Sequence, residues 1–181
     1  MLAQKRWPAR DQLMFALGVD SSLRGSDLVG LRVADVMLAG SPRDSVTVEP
    51  LKTKDSAGTR VTFEMRDDTK ELLRRYVEGG RLLETDFLFS SIKPIQGKPR
   101  DPLSERNYAR RVKKWVAAIG LNADLYGTHS IRKVRPVHVY KMTGNIRACQ
   151  VMLGYKSIVT TQRYLGIETD EALAISRQFQ V

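Results

Sequence analysis

The sequence predicts an α+β domain, mainly helical, with one small antiparallel β-sheet. Three observations point there. Apolar residues recur at helical spacing over residues 10–19, 67–77 and 104–119. Only one pair of segments alternates apolar and polar residues, and it flanks a run of turn formers. The last third breaks into short apolar stretches separated by Gly, Asn and Ser, the punctuation of short helices.

Taken in order, residues 10–19 carry Leu13, Met14 and Leu17 at helical spacing. Ser26 and Asp27 are candidate caps for a short helix reaching Leu31. Residues 45–51 (SVTVEPL) and 60–65 (RVTFEM) alternate around KTKDSAGT, which predicts a β-hairpin. Asp67 then caps a helix carrying Leu72, Leu73, Tyr76 and Val77. Residues 87–102 give an apolar run and a Pro/Gly-rich loop. Ser104 caps a helix to about Ile119, ended by Gly120. Its apolar face is Tyr108, Val112, Trp115, Val116 and Ile119. The remainder reads as helices over about 129–142, 145–153, 157–163 and 168–177.

The chain has 181 residues, about one domain, and we expect residues 1–181 to form a single one. Its 30 Lys and Arg against 20 Asp and Glu give a net charge of +10. That balance points to a polyanionic partner, nucleic acid or an anionic membrane surface. The single cysteine, Cys149, excludes an intrachain disulfide and fits a reducing compartment. With only His129 and His138 beside it, a zinc cluster of ordinary spacing is excluded, so no metal is expected. No apolar run approaches the ~20 residues of a membrane span. The opening MLAQKRWPARDQ lacks a signal-peptide core. These readings predict a soluble, cytoplasmic protein, one associated with the nucleoid where the polyanion is DNA.

The chemistry concentrates between Thr128 and Tyr164. His129 and Arg132 stand three residues apart, a Leu153-Gly154-Tyr155 turn follows, and Tyr164 closes the stretch. Such a set offers phosphate-binding donors and a hydroxyl nucleophile. Upstream, Arg24 and Asp27 are three apart and Lys52 sits in the hairpin turn. Singly, each has a plain structural reading: a surface ion pair worth a few tenths of a kcal/mol, a solvated lysine, a packed tyrosine.

In order and together, these segments resemble the catalytic domain of the tyrosine recombinases, the phage-integrase family. LRGSDLVGL resembles the first box of that family and LKTKDSAGTRVTF its hairpin. THSIR resembles the His-x-x-Arg box, and LGYKSIVTTQRYL the segment that ends in the nucleophile. The resemblance spans residues 10 to 178, about. It implies a catalytic set of Arg24, Lys52, His129, Arg132 and Tyr164, with Lys54 as the alternative lysine. Tyr155 falls where the family usually has His or Trp.

It also implies the reaction. Tyr164 attacks a DNA phosphodiester and forms a 3′-phosphotyrosyl link with a free 5′-hydroxyl. Arg24 and Arg132 clamp the non-bridging oxygens, where each charged hydrogen bond contributes roughly 1.5–3 kcal/mol. A free tyrosine ionises near ~10, so nearby cations are expected to lower that value, or His129 to assist as base. Lys52 would protonate the leaving 5′ oxygen. The covalent link conserves the bond energy, so no cofactor is expected. The partner would be double-stranded DNA, with Arg106, Arg110, Arg111, Lys113, Lys114 and Lys133, and also Arg135, Lys141 and Arg147, as phosphate contacts.

The resemblance further implies a homo-oligomer, a tetramer on DNA, exchanging the helix expected at 168–177. Three departures stand against full activity. Tyr155 replaces a stronger donor. Pro136 lies four residues after Arg132, where it is expected to kink the helix and misaim that arginine. The chain starts just ahead of the first box, so the family's N-terminal core-binding domain is expected to be absent and the grip on DNA weaker. A DNA-binding remnant with the fold but impaired catalysis is therefore the alternative. A type IB topoisomerase, which shares the chemistry, is a third reading.

Overall fold

The computed structural model of the chain describes residues 8–50, 60–90, 101–166 and 177. Its organising element is α1 (Ala9–Ser21), which buries Leu13, Met14 and Leu17 completely. The helix packs against α4 (Asp67–Gly80) on one side and α6 (Thr128–Thr143) on another. Gly18 makes the second contact possible. A Cβ there would lie 3.0 Å from both Ile131 Cγ2 and the Tyr108 hydroxyl.

After α1 the chain turns through Ser22, in the left-handed region at φ 51°, and enters α2 (Gly25–Val29). Ser26 and Asp27, expected as caps, lie inside its first turn. The cap position is Arg24, extended and without a side-chain cap bond. The reason is burial: Asp27 is only 3% exposed and faces inward rather than toward the helix end. Similarly, Arg66 and not Asp67 occupies the cap position of α4. A further short helix, α3 (Val33–Val36), follows, entered by an Arg32 N–H bond to the Asp35 carboxylate at 2.7 Å.

The β structure is two antiparallel ribbons. β1 (Met37–Leu38) pairs with β2 (Ser41–Pro42) across Ala39 and Gly40, both at positive φ. Two residues per strand are too few for alternation to register in a sequence. β3 (Ser45–Val48) pairs with β4 (Val61–Glu64), with Val46 opposite Phe63 and Val48 opposite Val61. Val46, Val61 and Phe63 face the core. This is the hairpin expected over 45–65, with shorter strands. Its connecting residues, Lys52 and Lys54 among them, lie outside the described residues.

In α5 (Glu105–Ala118) the Ser104 hydroxyl accepts from the Asn107 N–H at 3.2 Å, as its cap. Tyr108, Val112, Trp115 and Val116 are buried as expected, but Ile119 is 71% exposed, because the helix ends one residue before it. Asp11 of α1, 5% exposed, clasps α5. It accepts from Arg111 at 2.6 Å and from the Trp115 indole N–H at 3.0 Å.

A 3-10 turn (Ala123–Leu125) leads to α6, then α7 (Ile146–Leu153) and α8 (Ile158–Leu165). The helix continues through Pro136 to Thr143. The fully buried Cys149 thiol of α7 donates to the Pro136 carbonyl at 3.3 Å, fastening α7 there. The helix expected at 168–177 lies, apart from Arg177, outside the described residues. Among the described residues no helix is long and apolar enough to cross a membrane.

Candidate active site

Three chain segments meet at the site: the turn from α1 into α2, the first two turns of α6, and the α7–α8 corner. Arg132 is the anchor. It is 2% exposed, with Nε donating to the Ser22 carbonyl at 2.8 Å and Nη2 to the Leu153 carbonyl at 2.7 Å. Those bonds use two of the five guanidinium N–H donors and fix the plane of the rest. Arg132 is thus anchored from outside α6, the helix that contains Pro136. Its direction is set by carbonyls of two other segments, and α6 is unbroken on either side. Burial lowers the Arg132 pKa from its ordinary value, opposed by the nearby Tyr155, Tyr164 and Asp27. A guanidinium is basic enough to stay charged regardless.

The α7–α8 corner is a product of local sequence. Gly154 takes φ 64° and ends α7, with the Tyr155 N–H bonded back to the Gln150 carbonyl at 3.1 Å. Ser157 caps α8 by accepting from the Thr160 N–H, and the Thr161 hydroxyl, fully buried, donates to the Ser157 carbonyl at 3.0 Å. The corner directs Tyr155 and Tyr164 at each other, ring centroids 5.4 Å apart and nearly perpendicular. The guanidinium carbons of Arg132 and Arg24 lie 5.2 and 5.9 Å from the Tyr155 ring centre. Arg132 is also 5.5 Å from the Tyr164 ring.

The Tyr164 hydroxyl stands 3.4 Å from His129 Nδ1 and donates to the His129 carbonyl at 3.5 Å. Both are longer than a strong hydrogen bond, so the hydroxyl is near a base without being locked to it. Burial pushes the Tyr164 pKa up to about 12, against the lowering effect of Arg132 and Arg24. The sequence-based expectation of a lowered value is thus reversed: removal from water outweighs the cations. Arg24, His129, Arg132, Tyr155 and Tyr164 come together. The position of Lys52 relative to them lies outside the described residues.

The basic residues separate into classes. Arg111 is engaged with Asp11, and Arg135 bridges the carbonyls of Asp20 and Glu64 at 3.0 Å each, tying α1 to β4. Arg110 bonds Asn107, and Lys113 pairs with Asp124 at 2.9 Å on the exposed surface. Arg106 and Lys114 are exposed and make no ion pair with a described residue. Lys133 leans over Tyr164, its Nζ 4.7 Å from the ring centre. Sequence reasoning did not single out Arg60 and Lys156, which line a depression of about 330 Å³ with Arg147, Gln150 and Tyr155. Lys156 directly follows Tyr155, which was the available signal. Among the described residues no group of three or more His, Cys, Asp or Glu side chains could hold a metal ion.

The chain is similar to known proteins over most of its length. The chain is 29% identical over 170 residues to the probable integrase/recombinase YoeC of Bacillus subtilis, covering 94% of this chain and 84% of that one. It is 28% identical to the tyrosine recombinase XerC of Psychromonas ingrahamii, covering 88% of this chain but 49% of that protein. The chain thus spans about half the length of its XerC relative. Among solved structures, the XerA recombinase superposes with a TM-score of 0.71 at 19% identity, over 96% of this chain and 57% of that one. A dimer of lambda integrase bound to a core site gives 0.62 at 22% identity, over 89% and 53%. At such identities the structural likeness establishes the fold, that of the recombinase catalytic domain. The Phage integrase family itself matches residues 1–171, nearly the whole chain. The chain belongs to the phage integrase family, the tyrosine recombinases.

Proposed function

We propose that the chain is the catalytic domain of a site-specific DNA recombinase, cleaving and rejoining duplex DNA through a 3′-phosphotyrosyl intermediate on Tyr164. One observation carries the reading: Arg132, Tyr155 and His129 pack around Tyr164, and Arg24 reaches the Tyr155 ring beside it, although they come from segments up to 140 residues apart (24 to 164). Tyr164 Oη attacks phosphorus, the bond to the 5′ oxygen breaks, and the phenolic proton passes to His129. The free Nη donors of Arg132 and the Arg24 guanidinium bind the non-bridging oxygens as negative charge gathers on them. The 5′ oxygen takes a proton from Lys52, as the resemblance implies. Rejoining reverses these steps.

Duplex DNA as substrate is supported by the +10 net charge and by relatives such as XerH, whose structure was solved bound to its difH substrate. Arg106, Lys114 and the Arg60, Arg147 and Lys156 depression would follow the backbone on either side of the scissile phosphate. We further infer a tetramer on DNA, exchanging the helix expected at 168–177. An apolar groove of about 500 Å³ between α1, α4 and α5, lined by Phe15, Leu72, Trp115 and Ile119, offers a face for such a helix. Light scattering with and without DNA reads the assembly.

The decisive experiment uses a nicked suicide duplex. The wild-type chain should form a covalent adduct, and Tyr164→Phe should form none. An adduct that persists in Tyr164→Phe, or its absence in wild type, overturns the reading. DNA binding without cleavage would indicate the impaired-catalysis alternative, and relaxation of supercoiled DNA without site preference a topoisomerase.

A further inference from the structure

We propose that Lys133 is a positioning residue for the nucleophile, holding the face of the Tyr164 ring and favouring its phenolate; this rests on the cleavage chemistry inferred above. The Lys133 ammonium lies 4.7 Å from the Tyr164 ring centre, close enough for the ring face to attract it. It makes no ion pair with a described residue, so no described carboxylate cancels its charge. The neutral phenol attracts the cation only through its quadrupole. The phenolate spreads a full negative charge into the same ring, so the attraction grows on ionisation. No proton moves to or from Lys133: Tyr164 gives up its own.

The other groups around Tyr164 explain why such a cation matters. Arg132 and Arg24 face it from α6 and from the entry to α2, and both ease its ionisation. In the reaction, however, those two guanidiniums meet the negative phosphodiester, which offsets their charge. Tyr155 approaches edge-on from the α7–α8 corner and works against ionisation, while His129 stands at the hydroxyl. Asp27 is close enough to Arg132 to stabilise it and so weakens its field further. Lys133 sits over the ring face, so in this proposal its charge remains directed at Tyr164 when DNA is bound.

Two measurements test the proposal. In the first, a fluorinated tyrosine whose phenol ionises nearer neutrality replaces Tyr164 in the full chain, and its 19F shift is followed against pH without DNA. Lys133→Gln should raise the midpoint by about one pH unit, and Lys133→Arg should restore it. Coincident midpoints would overturn the proposal. In the second, adduct formation on the suicide duplex is measured from pH 6 to 9. Lys133→Gln should slow it about tenfold at neutral pH and less at high pH. Affinity, measured in a Tyr164→Phe background, should change less than about twofold. A rate loss equal at every pH and matched by lost affinity would make Lys133 a phosphate contact and nothing more, and would overturn the assignment. If wild type forms no adduct, the inferred function fails, while the 19F titration still decides the role of Lys133.

Discussion

Arg132 is bound by the fold and offered to a ligand by the same side chain, so stability and activity should fall together when it is changed. Arg132→Ala would leave the Ser22 and Leu153 carbonyls without donors in a buried site, at about 1–3 kcal/mol each. Urea denaturation should show that loss, and cleavage should vanish. Arg132→Lys keeps the charge but cannot span two carbonyls and a phosphate, and should lose at least ~10² in adduct rate. Tyr155→His should accelerate adduct formation by roughly tenfold or more, by supplying a better donor.

Tyr164 makes a separate prediction in alkali. Its folded value of about 12 exceeds the ordinary 10.0 of the unfolded chain. Its contribution to stability is therefore complete below pH 10 and lost as pH rises toward 12, because only the unfolded chain releases the proton in that window. Tyr164→Phe should remove that share of the alkaline loss. Denaturant midpoints at pH 9 and pH 11 for both proteins would measure it. Tyr108, buried deeper and shifted further in the same direction, keeps its own share in both. The resemblance of their segments to the family's boxes is what singled out His129, Arg132 and Tyr164. The raised Tyr164 value and the contact with Lys133 were not legible there, since both depend on what packs around the ring.

At the scale of elements, helices were the most readable feature, because their apolar stripes are long. Caps were less so. Ser26 and Asp27 have the right chemistry for an N-cap, but the polypeptide between α1 and α2 turns inward and buries Asp27, so Arg24 takes the position. That displacement sets the placement of Arg24: extended at a helix entry, it brings its guanidinium carbon to 5.9 Å from the Tyr155 ring centre. From sequence, Pro136 is expected to kink α6 close to Arg132. The local cost falls on the α6 backbone, whereas the aim of Arg132 is fixed by Ser22 and Leu153. The α1–α5 clasp was invisible in sequence, as Asp11 and Arg111 are 100 residues apart. Asp11→Ala strips partners from Arg111 and Trp115 and should destabilise the fold by about 3 kcal/mol, readable by denaturation.

For the whole molecule, the charge balance foretold a polyanionic partner, and the order of boxes along the chain foretold the family. The allocation of cations between fold and surface was not legible, because a paired and a free arginine look alike in sequence. The structure separates them, which gives a salt test. The slope of log affinity against log salt should shrink by about one for Arg106→Ala and for Lys114→Ala. Arg111→Ala should leave the slope unchanged while lowering stability, since its charge is already committed to Asp11. A slope that also falls with Arg111→Ala would place that side chain on the DNA.

The buried thiol of Cys149 has a practical consequence. Burial raises its pKa and keeps it from solvent in the folded protein, so reagents that attack thiolates should leave it unmodified. A cysteine introduced at the exposed Lys114 could then carry a fluorophore in an otherwise native chain. Any slow modification of Cys149 would instead act as a clock for opening of the α6–α7 seam, the same seam that presents Arg132. Slowing of that clock on adding DNA would reveal whether substrate tightens the domain around its own reaction centre.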